Sequence, residues 1–416
     1  MSHATQTKQT KQATQAIQST ARPNKKMSLL LMAGHLCCDI NQGALVATLP
    51  FLVLLGGFSY TAATALLFAS NIASAIIQPL FGWLGDKFQK PWIMALGITL
   101  AGLGMAGVGI FGTYWLILAS AMISGIGIAM FHPEGGRLAN LVAGEKKSSG
   151  MSIFAVGGKL GFSAGPLMAA AALSSWGLIG TVIFIVPSLI CSLILLAKNS
   201  TFLSYGSKKS AVFEGEIEDN WKAFSIVMCA LSARSIFFYA LTAFIPLFLV
   251  SVLGQSESFS SSMIALYAIV GALGTIASGW ASQRIGTKKL IIIAYTIVAV
   301  LVALFAFNQS LIFAVILIML LAIAVDLSYP SAVALGQGFV PNHLGMASGL
   351  SFGVVVCIGG IASPVLGSVG DAIGLQPIML ILVGVAVVGI LAALAIPNPL
   401  KKLSEKRNKK PVTKSF

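Results

Sequence analysis

Ionisable side chains stand inside long apolar runs at a few places in this sequence. His35 and Asp39 lie four apart and Gln42 follows three later, so all three share one face of a helix. Asp39 falls about 18 Å into its run at helical rise. A carboxylate at that depth costs roughly 3 kcal/mol on insertion scales, so it has to face water, a partner or a solute. Two chemistries suit it: reversible protonation with contact to a solute, or a permanent structural ion pair. The stretch Phe131-His132-Pro133-Glu134-Gly135-Gly136-Arg137 sets three ionisable groups beside a proline. Glu134 and Arg137, three apart, can pair on one helix face, and Pro133 frees a backbone carbonyl one turn back. Such a group is either a solute and proton site or a salt-bridged helix end at a membrane surface. Lys159, Arg234 and Asp326 are further charges near mid-depth. Lys159 is open to Asp39, to Glu134 or to an anion.

The elements that carry these groups have to be membrane helices. Charged residues are 9% of the 416-residue chain and hydrophobic ones 57%, where a soluble domain carries about 25% charged residues. Twelve apolar segments are long enough to cross hydrocarbon: 27–55, 60–84, 92–112, 114–139, 149–173, 177–197, 223–253, 260–282, 288–307, 310–334, 345–369 and 374–397. A short basic turn, Gly82 to Lys90, joins the second and third. Its pattern returns nearly half the chain later as Gly279-Trp280-Ala281-Ser282-Gln283-Arg284-Ile285-Gly286-Thr287-Lys288-Lys289. Parallel internal repeats of this kind build transporters from two halves. The expected units are a polar tail at 1–26, a six-helix bundle at 27–197, a linker at 198–222, a second six-helix bundle at 223–397 and a basic tail at 398–416.

The net charge of +14 reads as membrane topology, not as nucleic-acid binding. All of the 26 Lys and Arg except Lys159 and Arg234 fall on one side of the alternating spans. The positive-inside rule then predicts both termini in the cytoplasm. Five cysteines lie within spans at no ligand spacing, so neither a disulfide framework nor a metal site is expected.

The segment Gly82-x-Leu84-x-Asp86-Lys87-x-x-Lys90 resembles the helix 2–3 loop signature of the major facilitator superfamily. Gln89 stands where that family usually has Gly, and in the second copy Gln283 replaces Asp86. The resemblance implies an all-α membrane fold of twelve helices in two bundles, with spans 1, 4, 7 and 10 lining a central cavity. It also implies a conformational latch at Gly82, Asp86, Lys87 and Arg284, and an ion pair between Arg234 and Asp326. Phe131-His132-Pro133-Glu134-x-x-Arg137, with His35-Leu36-x-x-Asp39 and Ser152 to Gly158, resembles the fosmidomycin-resistance group of the superfamily. Gly161-x-x-x-Gly165-Pro166 resembles the fifth-helix signature of its antiporters. One departure matters: many proton antiporters of the superfamily carry Arg where this chain has Ala121, so coupling through that arginine is not available.

The resemblance and the buried charges together imply a secondary active transporter. It exports a small anionic or amphiphilic solute by alternating access, in exchange for protons; the alternative is proton-coupled uptake of an anionic metabolite. The proton carriers expected are Asp39, Glu134 and Asp326. The expected solute contacts are His35, Gln42, His132, Arg137, Lys159 and Arg234. No enzyme activity, cofactor, metal or nucleic-acid partner is expected. The partners are a small solute, protons and lipid, and the chain is expected as a monomer in a bacterial inner membrane.

Overall fold

The computed structural model describes residues 23–58, 60–205 and 218–397. The basic tail expected at 398–416, most of the polar tail and the middle of the linker lie outside the described residues. Every regular element among the described residues is helical. In the first half these are α1 (Lys25–Leu54), α2 (Tyr60–Phe88), α3 (Trp92–Ile110), α4 (Tyr114–Val142), α5 (Lys147–Trp176), a 3₁₀ segment (Gly177–Phe184) and α6 (Ile185–Ala197). In the second they are α7 (Trp221–Ser251), α8 (Glu257–Ile285), α9 (Thr287–Ala306), α10 (Leu311–Leu327), α11 (Tyr329–Phe339), α12 (Leu344–Gly349), a π-helical turn (Leu350–Val354), α13 (Val355–Ile373) and α14 (Leu375–Ala395).

Short polar residues set where the long helices begin. Asn24 accepts a hydrogen bond from the Met27 amide and Asn220 from the Ala223 amide. Each satisfies one of the amides that a helix start leaves unpaired. Among the described residues, eleven helical runs are long and apolar enough to span a bilayer. The longest, Lys147–Ala197, holds two crossings. A Cβ on Gly180 would stand 2.5 Å from the Ala172 carbonyl oxygen, whereas residues eight apart in one straight helix are about 12 Å apart. The chain therefore reverses there, at Gly177, whose φ of 64° suits a residue without a Cβ. Twelve crossings result among the described residues.

The two halves repeat one packing plan. In the first, α1 lies on α5, α2 on α4, and α3 on α4 and α6. In the second, α7 lies on α13, α8 on α10, and α9 on α10 and α14. Between halves, α2 meets α12 and α5 meets α8, again as equivalent pairs. Apart from the bond between Lys159 and Asp326, the hydrogen bonds that join the halves among the described residues cluster at the end carrying the α2–α3 turn. Asp86 accepts from the amides of Gly345 at 2.7 Å and Met346 at 2.8 Å, at the start of α12. Gln337 of α11 accepts from Asn140 at 2.7 Å and donates to the Gly136 carbonyl at 3.2 Å, both on α4. Gln283 of α8 donates to the Ser149 hydroxyl of α5.

Candidate functional site

Among the described residues, two clusters of three ionisable groups form within the helices. The first belongs wholly to the first bundle. His35 and Asp39 come from one face of α1, and His132 comes across from α4. His35 Nε2 lies 3.3 Å from Asp39 Oδ2, and His132 Nε2 lies 3.2 Å from Asp39 Oδ1. The two Nε2 atoms are 3.1 Å apart. Each ring is anchored from behind: His35 Nδ1 lies 2.7 Å from the Phe154 carbonyl and His132 Nδ1 lies 2.9 Å from the Ile128 carbonyl. The Phe154 ring also stacks on His35, with centroids 4.1 Å apart. Gly158 of α5 gives the cluster its room, since a Cβ there would sit 2.6 Å from His35 Nε2 and 2.8 Å from Asp39 Oδ2. Phe352, in the π-helical turn, faces His132 from the other half at 5.8 Å between ring centres. One donor atom from each of His35, Asp39 and His132 lies within 4.8 Å of the others, near enough to share an ion.

The second cluster bridges the halves. Asp326 sits in the last turn of α10, which stops one residue later because Pro330 cannot continue its hydrogen bonds. A carboxylate at a helix C-terminus meets the negative end of the helix dipole, so cations are needed beside it. Two are present. Arg234 of α7 bonds Asp326 Oδ1, and Lys159 Nζ of α5 lies 2.6 Å from Oδ2. Both cations also face rings: Lys159 stands 4.7 Å and Arg234 4.9 Å from Phe238, and Arg234 is 4.3 Å from Tyr329. Asp326 is fully buried, while the Lys159 side chain keeps 17% of its surface exposed.

Glu134 and Arg137 pair as their spacing implies, through bonds of 2.8 and 2.6 Å from Nε and Nη2 to the two carboxylate oxygens. The pair is not a surface helix end. α4 runs on to Val142, and Glu134 and Arg137 are 2% and 4% exposed. Arg234 and Asp326 also pair as expected. Lys159, left open between Asp39, Glu134 and an anion, pairs with neither of those two carboxylates; its partner within the chain is Asp326. Asp39 meets two histidines instead. Gln42 is half-buried and makes none of the hydrogen bonds found among the described residues to this cluster. Of the expected latch, Asp86 reaches a helix start in the other half and Gly82 packs on Gly345. Lys87 and Arg284 do not reach across: Lys87 lies over Trp83 at 5.0 Å and Arg284 over Trp280 at 4.1 Å, each on its own helix. Gln283, one residue before Arg284, makes the contact instead.

Sequence reading missed the Gln337 bridge, the Phe352 contact and the room left by Gly158. A conspicuous Gln in an apolar helix and a paired Gly157-Gly158 were the available signals. The arrangement matches a known family model. The model of the Major Facilitator Superfamily matches residues 31–256 and 223–416. The chain belongs to the Major Facilitator Superfamily. Within it, the chain resembles the fosmidomycin-resistance group. It is 25% identical to the fosmidomycin resistance protein of Escherichia coli (strain K12) over 90% of this chain and 94% of that one. It is 29% identical to an uncharacterised transporter of the superfamily, YfnC of Bacillus subtilis (strain 168), over 90% of this chain and 93% of that one. Among solved structures, the human organic anion transporter MFSD10 superposes with a TM-score of 0.72 at 16% identity, covering 90% of this chain and 100% of that chain. The E. coli fucose:proton symporter FucP does so with a TM-score of 0.68 at 17% identity, covering 91% and 100%. At these identities the two structures speak for the fold. The chain is thus a multi-pass membrane transporter of the secondary active kind.

Proposed function

We propose that this transporter moves a small anionic or amphiphilic solute by alternating access, with its seat at Lys159, Arg234 and Asp326. The carrying observation is the charge count there: two cations share one carboxylate across the junction of the halves. One positive charge is left over at mid-depth, where an isolated charge is costly. An anion neutralises it, and Phe238 and Tyr329 offer rings to an apolar body. Lys159, partly exposed, is the group an arriving solute reaches first. The bodies that rock are 27–197 and 223–397, with Gly82 and Asp86 fastening the cytoplasmic end and both termini in the cytoplasm of a bacterial cell.

Export is the direction favoured by the likeness to the fosmidomycin resistance protein and by the fifth-helix motif. Moving one negative charge outward gains about 2.3 kcal/mol per 100 mV of inside-negative potential. Export in exchange for protons and uptake with protons differ in linkage. Here one observation favours the second reading of the coupling. A bound anion and the Asp326 carboxylate compete for the same two cations, so a proton on Asp326 frees them. Proton and anion then assist each other's binding, which is the linkage of cotransport.

The test is a panel of phosphonates and organic anions in proteoliposomes under an imposed pH gradient. Anion flux with the proton flow gives cotransport; flux against it gives exchange. Lys159→Gln is expected to lower anion transport about tenfold or more, chiefly through KM, a loss of about 1.4 kcal/mol in solute binding. Full anion transport by that variant would sink the seat.

A further inference from the structure

We propose that His35, Asp39 and His132 bind one divalent transition-metal ion of the zinc class inside the first bundle. The inference goes beyond the transport reading and does not rest on it. It begins with hydrogen placement. A backbone carbonyl only accepts, so the Nδ1 of each histidine carries the hydrogen that it gives to Phe154 or Ile128. Each neutral ring then turns a bare lone pair on Nε2 toward the cluster. Asp39 brings two more acceptor oxygens. Lone pairs therefore face each other at 3.1, 3.2 and 3.3 Å, an arrangement that calls for a cation among them.

A hydrogen bond along one edge does not complete the cluster. Asp39 Oδ1 is buried and has no hydrogen-bond partner of proper geometry, although His132 Nε2 is 3.2 Å away. Asp39 as a whole is only 8% exposed. The nitrogen pair suits a metal instead: at 3.1 Å it is close to the roughly 3.3–3.4 Å between nitrogen ligands held 2.0–2.1 Å from a tetrahedral zinc ion, and each imidazole faces a different oxygen of Asp39. Two imidazoles and one carboxylate form a ligand set that zinc sites use while keeping a fourth position open. The backs of both rings are already tied to backbone carbonyls, the support that metal-ligating histidines commonly have. Imidazole donors select zinc, cobalt or nickel over magnesium and calcium, which prefer oxygen. Gly158 matters to the site because a side chain there would enter the space between the ligands.

The experiment uses the full chain, purified in detergent without a histidine tag and stripped with chelator. Zinc is titrated by calorimetry and cobalt by its visible absorption, with no solute and no gradient present. The expected result is one equivalent of metal bound, with the intense visible bands of low-coordinate cobalt. His132→Gln and Asp39→Asn are each expected to weaken binding by about tenfold or more, while His343→Gln leaves it unchanged. X-ray absorption of the zinc-loaded unmutated protein needs no variant and is expected to show two imidazole nitrogens. Absence of saturable binding overturns the proposal. So does unaltered affinity in a monodisperse His132→Gln variant, loss of binding in His343→Gln, or a first coordination sphere without imidazole. None of these outcomes touches the solute seat, which transport assays of Lys159→Gln judge separately.

Discussion

The two halves repeat one helix arrangement and fill it with opposite electrostatics. At mid-depth the first half gathers acceptors: two imidazole nitrogens and a carboxylate, all within its own helices. The second half gathers cations about Asp326 and borrows Lys159 from the first. The loop repeats diverge likewise, with the carboxylate of Asp86 in one copy and the neutral amide of Gln283 in the other. A shared backbone plan therefore constrains where charges sit and leaves free which charges they are. The difference also separates two placements: one cluster lies wholly within the first half, whereas the other joins the two halves.

Four substitutions put numbers on that contrast. The largest effect belongs to Asp326→Asn, which strands Lys159 and Arg234 without their shared anion. Breaking a buried ion pair from one side costs about 3–5 kcal/mol, so unfolding in mixed micelles is expected far earlier than for the unmutated chain. A smaller loss is expected for Asp39→Asn in metal-free buffer. Its histidines keep their carbonyl partners and need no counter-charge when neutral, leaving a cost of about 1–3 kcal/mol for imperfectly paired polar groups. If the two variants unfold alike, the halves are not electrostatically distinct. The smallest effect belongs to Arg284→Ala and Lys87→Ala, each within about 0.5 kcal/mol of the unmutated stability. Should Arg284→Ala instead shift solvent access to cysteines placed near Ser149, the assignment of the cross-bundle contact to Gln283 is wrong.

Local pairs were legible in the sequence because helix geometry alone defines them. Glu134 with Arg137 follows from a spacing of three, and the shared face of His35 and Asp39 from a spacing of four. The twelve crossings and the doubled loop were legible from apolar length and basic turns. Partnerships between helices were not. His132 reaches Asp39, and Lys159 reaches Asp326, through crossing angles and axial offsets that no single periodicity encodes. Gln42 has the right face and the wrong height. The choice of Gln283 over its charged neighbour reflects which side of α8 meets α5, and one residue rotates a helix face by about 100°. Phe352 escaped notice because a π-helical turn shifts the register of every side chain beyond it.

The seam between α2 and α12 is backbone laid on backbone. A Cβ on Gly82 would come within 2.9 Å of the Met346 Cα, and one on Gly345 within 3.1 Å of Asp86 Oδ1. Gly349 adds a third such place, 2.5 Å from the Gln78 carbonyl oxygen by the same construction. Parting along that line would break the two Asp86 hydrogen bonds but, at the three glycines, would separate no interdigitated side chains, so the two faces would lift and reseat like planed boards. A methyl group added at Gly82 would act as a shim, propping this end ajar while leaving both charged clusters chemically intact.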